Sequence, residues 1–170
     1  MILRPSRGFT LIEALVYLAL FSILMGGAVI AAYNLFEAAA RGTTRTMLQE
    51  ETDFLIAKAT WAASGAKSIT SPSAGTTGGA LTVVKWDSSY GNPIVITTNG
   101  GNMVMTKSGG AQVVLNNTNV SVTHFSVTHD LGAGDGFSPE SVTVALTLSG
   151  RASDGALLSR AATTTVYIRK

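Results

Sequence analysis

Residues 14–36 read ALVYLALFSILMGGAVIAAYNLF, 23 residues without a charge. As a helix they cover about 34 Å at 1.5 Å per residue, enough to cross a hydrocarbon core of about 30 Å. Eleven of them are Leu, Ile, Val or Phe. At about −0.5 kcal/mol each, they favour insertion by roughly 5 kcal/mol. Arg4 and Arg7 precede the run, and no acid occurs among residues 1–12. Positive charge ahead of a span holds that end in the cytoplasm, so the C-terminus is expected outside. A cleaved secretory signal is the rival reading. Its apolar region is shorter, about 7–15 residues, although Ala38-Ala39-Ala40 follow this one as small residues should.

The charge balance limits the partners. The net +2 comes from Arg4 and Arg7, and beyond residue 8 ten basic groups meet ten acidic ones. No dense Lys/Arg patch announces a nucleic-acid binder, and no specific nucleic acid is expected. The chain has no cysteine, which excludes disulfides, thiolate metal ligands and a cysteine nucleophile. At 170 residues it accommodates one ordinary domain plus an appendage.

The junction before the apolar run reads Arg7-Gly8-Phe9-Thr10-Leu11-Ile12-Glu13. It resembles the processing signal of type IV prepilins: a basic leader ending in Gly, then Phe, then an apolar run with Glu at its fifth position. Pilins, minor pilins and type II secretion pseudopilins share that signal. The resemblance implies a prepilin peptidase that cuts between Gly8 and Phe9 and N-methylates the new amine of Phe9. It further implies that Glu13 pairs with the Phe9 amine of a neighbouring subunit during assembly. A glycine lets a protease approach the backbone, and a carboxylate near a helix N-terminus is favoured by the dipole. A snorkelling interfacial acid is the plainer reading of Glu13. The implied partners are the peptidase, other pilin or pseudopilin subunits, an inner-membrane assembly platform and the membrane itself. The implied location is the cytoplasmic membrane, single-pass, and then an extracellular or periplasmic filament.

Gly26-Gly27 interrupts the run. It supplies either local flexibility or close helix packing. Beyond the run, Met47, Phe54 and Trp61 are spaced by seven, as are Leu48, Leu55 and Ala62. They predict one apolar stripe with Arg45, Glu50, Asp53 and Lys58 largely off it. Gly42-Thr43-Thr44 is a candidate weak point, and Ser64-Gly65 a helix stop. Residues 65–80 are rich in Gly, Ser, Thr and Pro and read as a loop. From Leu81 the period becomes two. LTVVKW, PIVITT, NMVMTK and AQVVLN are short strand candidates, separated by glycine turns. Val142, Val144, Leu146 and Leu148 alternate with small or polar residues as a strand with one apolar face. Thr163 to Ile168 forms another strand, joined to it by a hairpin at 150–155. Between Val122 and Phe125 the alternation slips, which signals a bulge or break.

The expected organisation is leader 1–8, transmembrane assembly helix 9–36, amphipathic helix 37–65 and β-rich head 66–170. The expected class is α+β: a long N-terminal helix, transmembrane then amphipathic, packed on an antiparallel sheet. No catalytic constellation, cofactor or metal site is expected. His124 and His129 are five apart and face opposite sides of a strand, which suits surface or edge roles. Asp130–Gly136 reads as a Gly/Asp turn, with a calcium loop as its alternative. Trp61 and Trp86 read as core. The chain is therefore expected to be a structural filament subunit rather than an enzyme, with a singly anchored envelope protein as the alternative.

Overall fold

The computed structural model describes residues 9–132 and 139–168. It is α+β: helix α1 (Leu11–Ala63) precedes strands β1 (Ala66–Ser71), β2 (Thr77–Gly78), β3 (Ala80–Lys85), β4 (Ile94–Asn99), β5 (Asn102–Lys107), β6 (Val113–Val114), β7 (Val120–Asp130), β8 (Ser141–Arg151) and β9 (Leu157–Tyr167). A 3₁₀ turn at Ser88–Tyr90 interrupts the series. Two compact units divide the chain, one ending at Ala40 and the other beginning at Arg41.

In the first unit every residue from Phe9 to Phe36 is exposed. Helical structure continues through Gly26 and Gly27, and neither glycine has an atom near the position of a missing Cβ. Leu and Ala dominate this stretch and form helix readily. Its apolar surface is complete all round, as a hydrocarbon environment requires.

The second unit holds the core. Two antiparallel sheets run in the orders β1-β3-β4-β5-β6 and β2-β7-β8-β9. Leu81, Val83, Ile94, Ile96 and Met103 from the first sheet are buried with Val127, Val142, Val144, Leu146 and Leu148 from the second. The helix contributes Thr44, Leu48, Thr52, Leu55, Ala59, Ala62 and Ala63. These recur every three or four positions, the spacing of one helix face. Ala59, Ala62 and Ala63 let the backbone of the last turns come close to neighbouring elements. Thr52 is tolerated in the core because its hydroxyl donates to Leu48 O at 2.6 Å. Gly42 lies within the helix, and the chain leaves it after Ala63 with Gly65 at φ +67°, a left-handed stop open to glycine.

Several expectations need correction. Leu48, Leu55 and Ala62 are buried, whereas Phe54 is 44% exposed and Met47 and Trp61 only flank the core. The two rows lie about 100° apart on the helix, and the sheets cover the row containing Leu55. Residues 65–80 are not a loop throughout: β1 pairs with β3, and β2 with β7. AQVVLN yields only the two-residue β6, and the last strand starts at Leu157, earlier than Thr163. Trp86 is 65% exposed. It sits just past β3, where the strand's inward positions have ended.

The slip between Val122 and Phe125 is a bulge. In the β7–β8 register Val122 faces Leu148 and His124 faces Thr147, leaving Thr123 extra. The extra residue reverses the parity of the rest of β7. Val120 and Val122 point inward before it, and Phe125, Val127 and His129 after it. His129 is therefore buried, against the expectation of a surface or edge role, while His124 is exposed as expected.

Candidate functional site

The residues singled out by the sequence motif lie at the start of α1. Thr10 is the residue before the first helical position, and its hydroxyl accepts the Glu13 backbone N–H at 3.3 Å. Its carbonyl accepts Ala14 N–H at 3.2 Å. Thr10-x-x-Glu13 thus has the spacing of a capping box, in which a hydroxyl satisfies one of the donors a helix start leaves open. Glu13, in the first turn, also meets the positive end of the helix dipole. One turn on, Tyr17 Oη donates to Glu13 Oε1 at a long 3.5 Å. The Tyr17 ring stacks on Phe9, with centroids 5.8 Å apart and an interplanar angle of 27°. Phe9, Glu13 and Tyr17 therefore form one exposed cluster. Gly8, the residue before the implied cut, lies outside the described residues.

Sequence reasoning misses Thr10 and Tyr17. Thr10 has a readable signal, the T-x-x-E spacing. Tyr17 has only its i+4 relation to Glu13.

Elsewhere in the described residues, the buried polar side chains of Lys85, Asn116 and His129 serve structure. Lys85 is buried and donates from Nζ to Trp61 O at 2.6 Å and Ser64 O at 3.0 Å. These carbonyls belong to the end of α1, where helix acceptors lack internal partners. The ammonium also lies 4.2 Å from the Trp61 ring centroid. Burial, and secondarily Lys107, lowers the Lys85 pKa from its ordinary value. The alternation Leu81, Val83, Lys85 already places this lysine inward.

Lys85→Met should destabilise the second unit by about 1–3 kcal/mol, because two carbonyls lose their donor. Chemical denaturation of the purified chain checks it. The loss should grow with pH in the alkaline range. A folded pKa below the unfolded one means that the unfolded chain binds more protons in that window. Wild-type stability then rises, relative to the variant, between the lowered pKa and the ordinary 10.5.

His129 Nδ1 lies 3.0 Å from Pro72 O, and Nε2 lies 2.8 Å from Glu140 Oε1. With its backbone bonded to Gly75 and Thr76, it ties the 72–76 segment to β7. Asn116 accepts Met103 N–H and donates to Val120 O, joining β5 to the start of β7. Among the described residues no group of three metal-ligating side chains occurs. The Asp130–Gly136 turn, with its calcium alternative, lies partly outside the described residues.

One described helix, near the N-terminus, is long and apolar enough to cross a membrane. No curated protein and no solved structure matches this chain. The family model of the prokaryotic N-terminal methylation motif matches residues 3–29, the stretch that contains Gly8, Phe9, Glu13 and Tyr17. Together with the apolar helix that follows it and the antiparallel sheets beyond, that match marks the chain as a type IV prepilin-like protein.

Proposed function

We propose that this chain is a non-enzymatic structural subunit of a type IV pilus or a type II secretion pseudopilus. A prepilin peptidase cuts it between Gly8 and Phe9 and methylates the Phe9 amine. The mature chain waits in the cytoplasmic membrane with its C-terminus outside, and an assembly platform then draws it into a filament. The observation that carries this reading is the methylation motif joined to a helix whose uncharged, largely apolar run 14–36 is exposed on every side. Such a surface needs lipid in one state and other helices in the next. Absence of disulfides and modest length favour a minor pilin or pseudopilin over a major pilin.

Processing gives the direct test. The chain is expressed with and without an active prepilin peptidase, and the mature N-terminus is read by mass spectrometry. The expected product begins at N-methylated Phe9. Replacing Gly8 by a bulky residue should leave the full-length precursor in the membrane, because the added side chain blocks approach to the peptide bond. A cut near Ala38–Ala40 would instead identify a secretory signal peptide.

One observation favours the alternative of a singly anchored envelope protein without a filament. Tyr17 engages Glu13 within its own helix, which is what an acid at the membrane surface of a lone anchor would use.

A further inference from the structure

Arg45, Leu48, Gln49, Leu158, Ser159 and Arg160 line a cleft of about 390 Å³ in the second unit. The helix supplies the first three and β9 the others. None of the six is acidic. Arg45 and Arg160 are both exposed and, among the described residues, neither forms an ion pair. Nearby, Arg41 already pairs with Asp154. The Ala156 backbone N–H and then Arg41 hold the Asp154 carboxyl below its ordinary range, so that acid is committed elsewhere.

The cleft is amphiphilic. Two guanidiniums, each a planar fork of donors, are accompanied by the Gln49 amide and the Ser159 hydroxyl. Leu48 is buried beneath them, Leu158 is half-buried, and the adjoining Leu157 is 66% exposed. A small inorganic anion has no use for that apolar surface, whereas a phosphodiester attached to glycerol and acyl carbons does. The covalent chain adds a second constraint. Eight residues separate Arg45 from Phe36, the last residue of the uncharged run. If that run lies in a bilayer, connectivity alone keeps Arg45 near the membrane surface. Arginine side chains there bury their stems and place the charge among headgroups.

We propose that this cleft binds the phosphate of an anionic phospholipid headgroup, with Arg45 and Arg160 as its two cationic arms. The proposal rests on the membrane-anchor reading for its ligand source. It gives the head a lipid contact that the subunit must release when it leaves the bilayer.

The test uses the full chain in neutral detergent. Phosphatidylglycerol or phosphatidylcholine is added, and bound lipid is counted by native mass spectrometry. Phosphatidylglycerol should be retained about 10-fold better than phosphatidylcholine. Arg45→Gln and Arg160→Gln should each lower that retention about 5-fold or more, and Lys58→Gln should leave it unchanged. Both arginines are exposed, and an unchanged denaturation midpoint verifies that the variants fold. Equal retention of the two lipids, or variants that bind like wild type, would overturn the proposal. So would displacement of the lipid by millimolar inorganic phosphate, which would make the cleft a free-phosphate site. Alkaline washing of membranes checks the anchor reading separately, because extraction there depends on residues 14–36 and not on the arginines.

Discussion

Leu55→Ala should destabilise the head by about 2–5 kcal/mol, and Phe54→Ala by about 1 kcal/mol or less. Leu55 is completely buried in the core that joins the helix to both sheets. Removing its side chain loses the transfer energy of the buried carbons and leaves a cavity. The two sheets are held by extended antiparallel ladders and have little freedom to collapse into it. Phe54 has a different position. Nearly half of it is exposed, and its ring meets Lys58, whose Nζ lies 5.2 Å from the ring centroid. An exposed cation–π contact is worth about 0.5–1 kcal/mol. Denaturant titration of the full chain in neutral detergent, followed by tryptophan fluorescence, measures both. The ranking is the decisive outcome. A larger loss for Phe54→Ala than for Leu55→Ala would mean that the helix presents the other row to the sheets.

That ranking also shows where sequence periodicity stops. Heptad spacing identifies rows along a helix, and both 47/54/61 and 48/55/62 satisfy it. Which row faces the sheets depends on long-range packing that no local pattern contains. The large aromatic residues point to the wrong row, while small Ala59, Ala62 and Ala63 make the close contacts. Strand periodicity carries further, because inward and outward residues must alternate. Val142–Leu148 and the slip before Phe125 are both legible for that reason. The consequence of the slip for His129 is legible too: counting inward positions on from Phe125 reaches it. Its partners are not, since Pro72 lies 57 residues away and Glu140 just ahead of β8. β1 leaves no signal because AKSITS is mostly polar and is held by pairing with β3.

The N-terminal site is far more legible than the head. Its candidate residues are defined by local spacing along the chain, so Gly8, Phe9 and Glu13 can be read in order. The Thr10 cap obeys the same local logic. Lys85 lies at the other extreme. Its inward parity is visible in Leu81, Val83 and Lys85, but its function needs the end of α1 beside the end of β3. That proximity belongs to tertiary structure.

Glu13→Gln should leave membrane insertion and processing intact and lower incorporation into sheared filaments at least about 10-fold. The apolar run and Gly8 are untouched by the change, so the earlier steps have no reason to fail. Assembly differs because, in the proposed filament, the mature Phe9 amine would enter an apolar helix core, where an uncompensated charge costs about 3–5 kcal/mol. Glutamine keeps the shape and a hydrogen-bond acceptor but cannot neutralise that charge. Tyr17 sharpens the test. Its hydroxyl occupies one lone pair of Glu13 Oε1 at long range, and a carboxylate has about four such sites. A neighbour's amine can therefore bind without displacing it. Tyr17→Phe should consequently reduce incorporation less than about 3-fold, while Glu13→Gln shows the full loss. A lone membrane anchor predicts a different pair of results: both variants processed normally and neither altered in its neighbours. For a low-copy subunit, site-specific crosslinking from the N-terminal helix reports those neighbours more sensitively than filament yield. Unchanged crosslinks and equal filament recovery for Glu13→Gln would show that the acid serves only its own helix start, through the dipole and Tyr17.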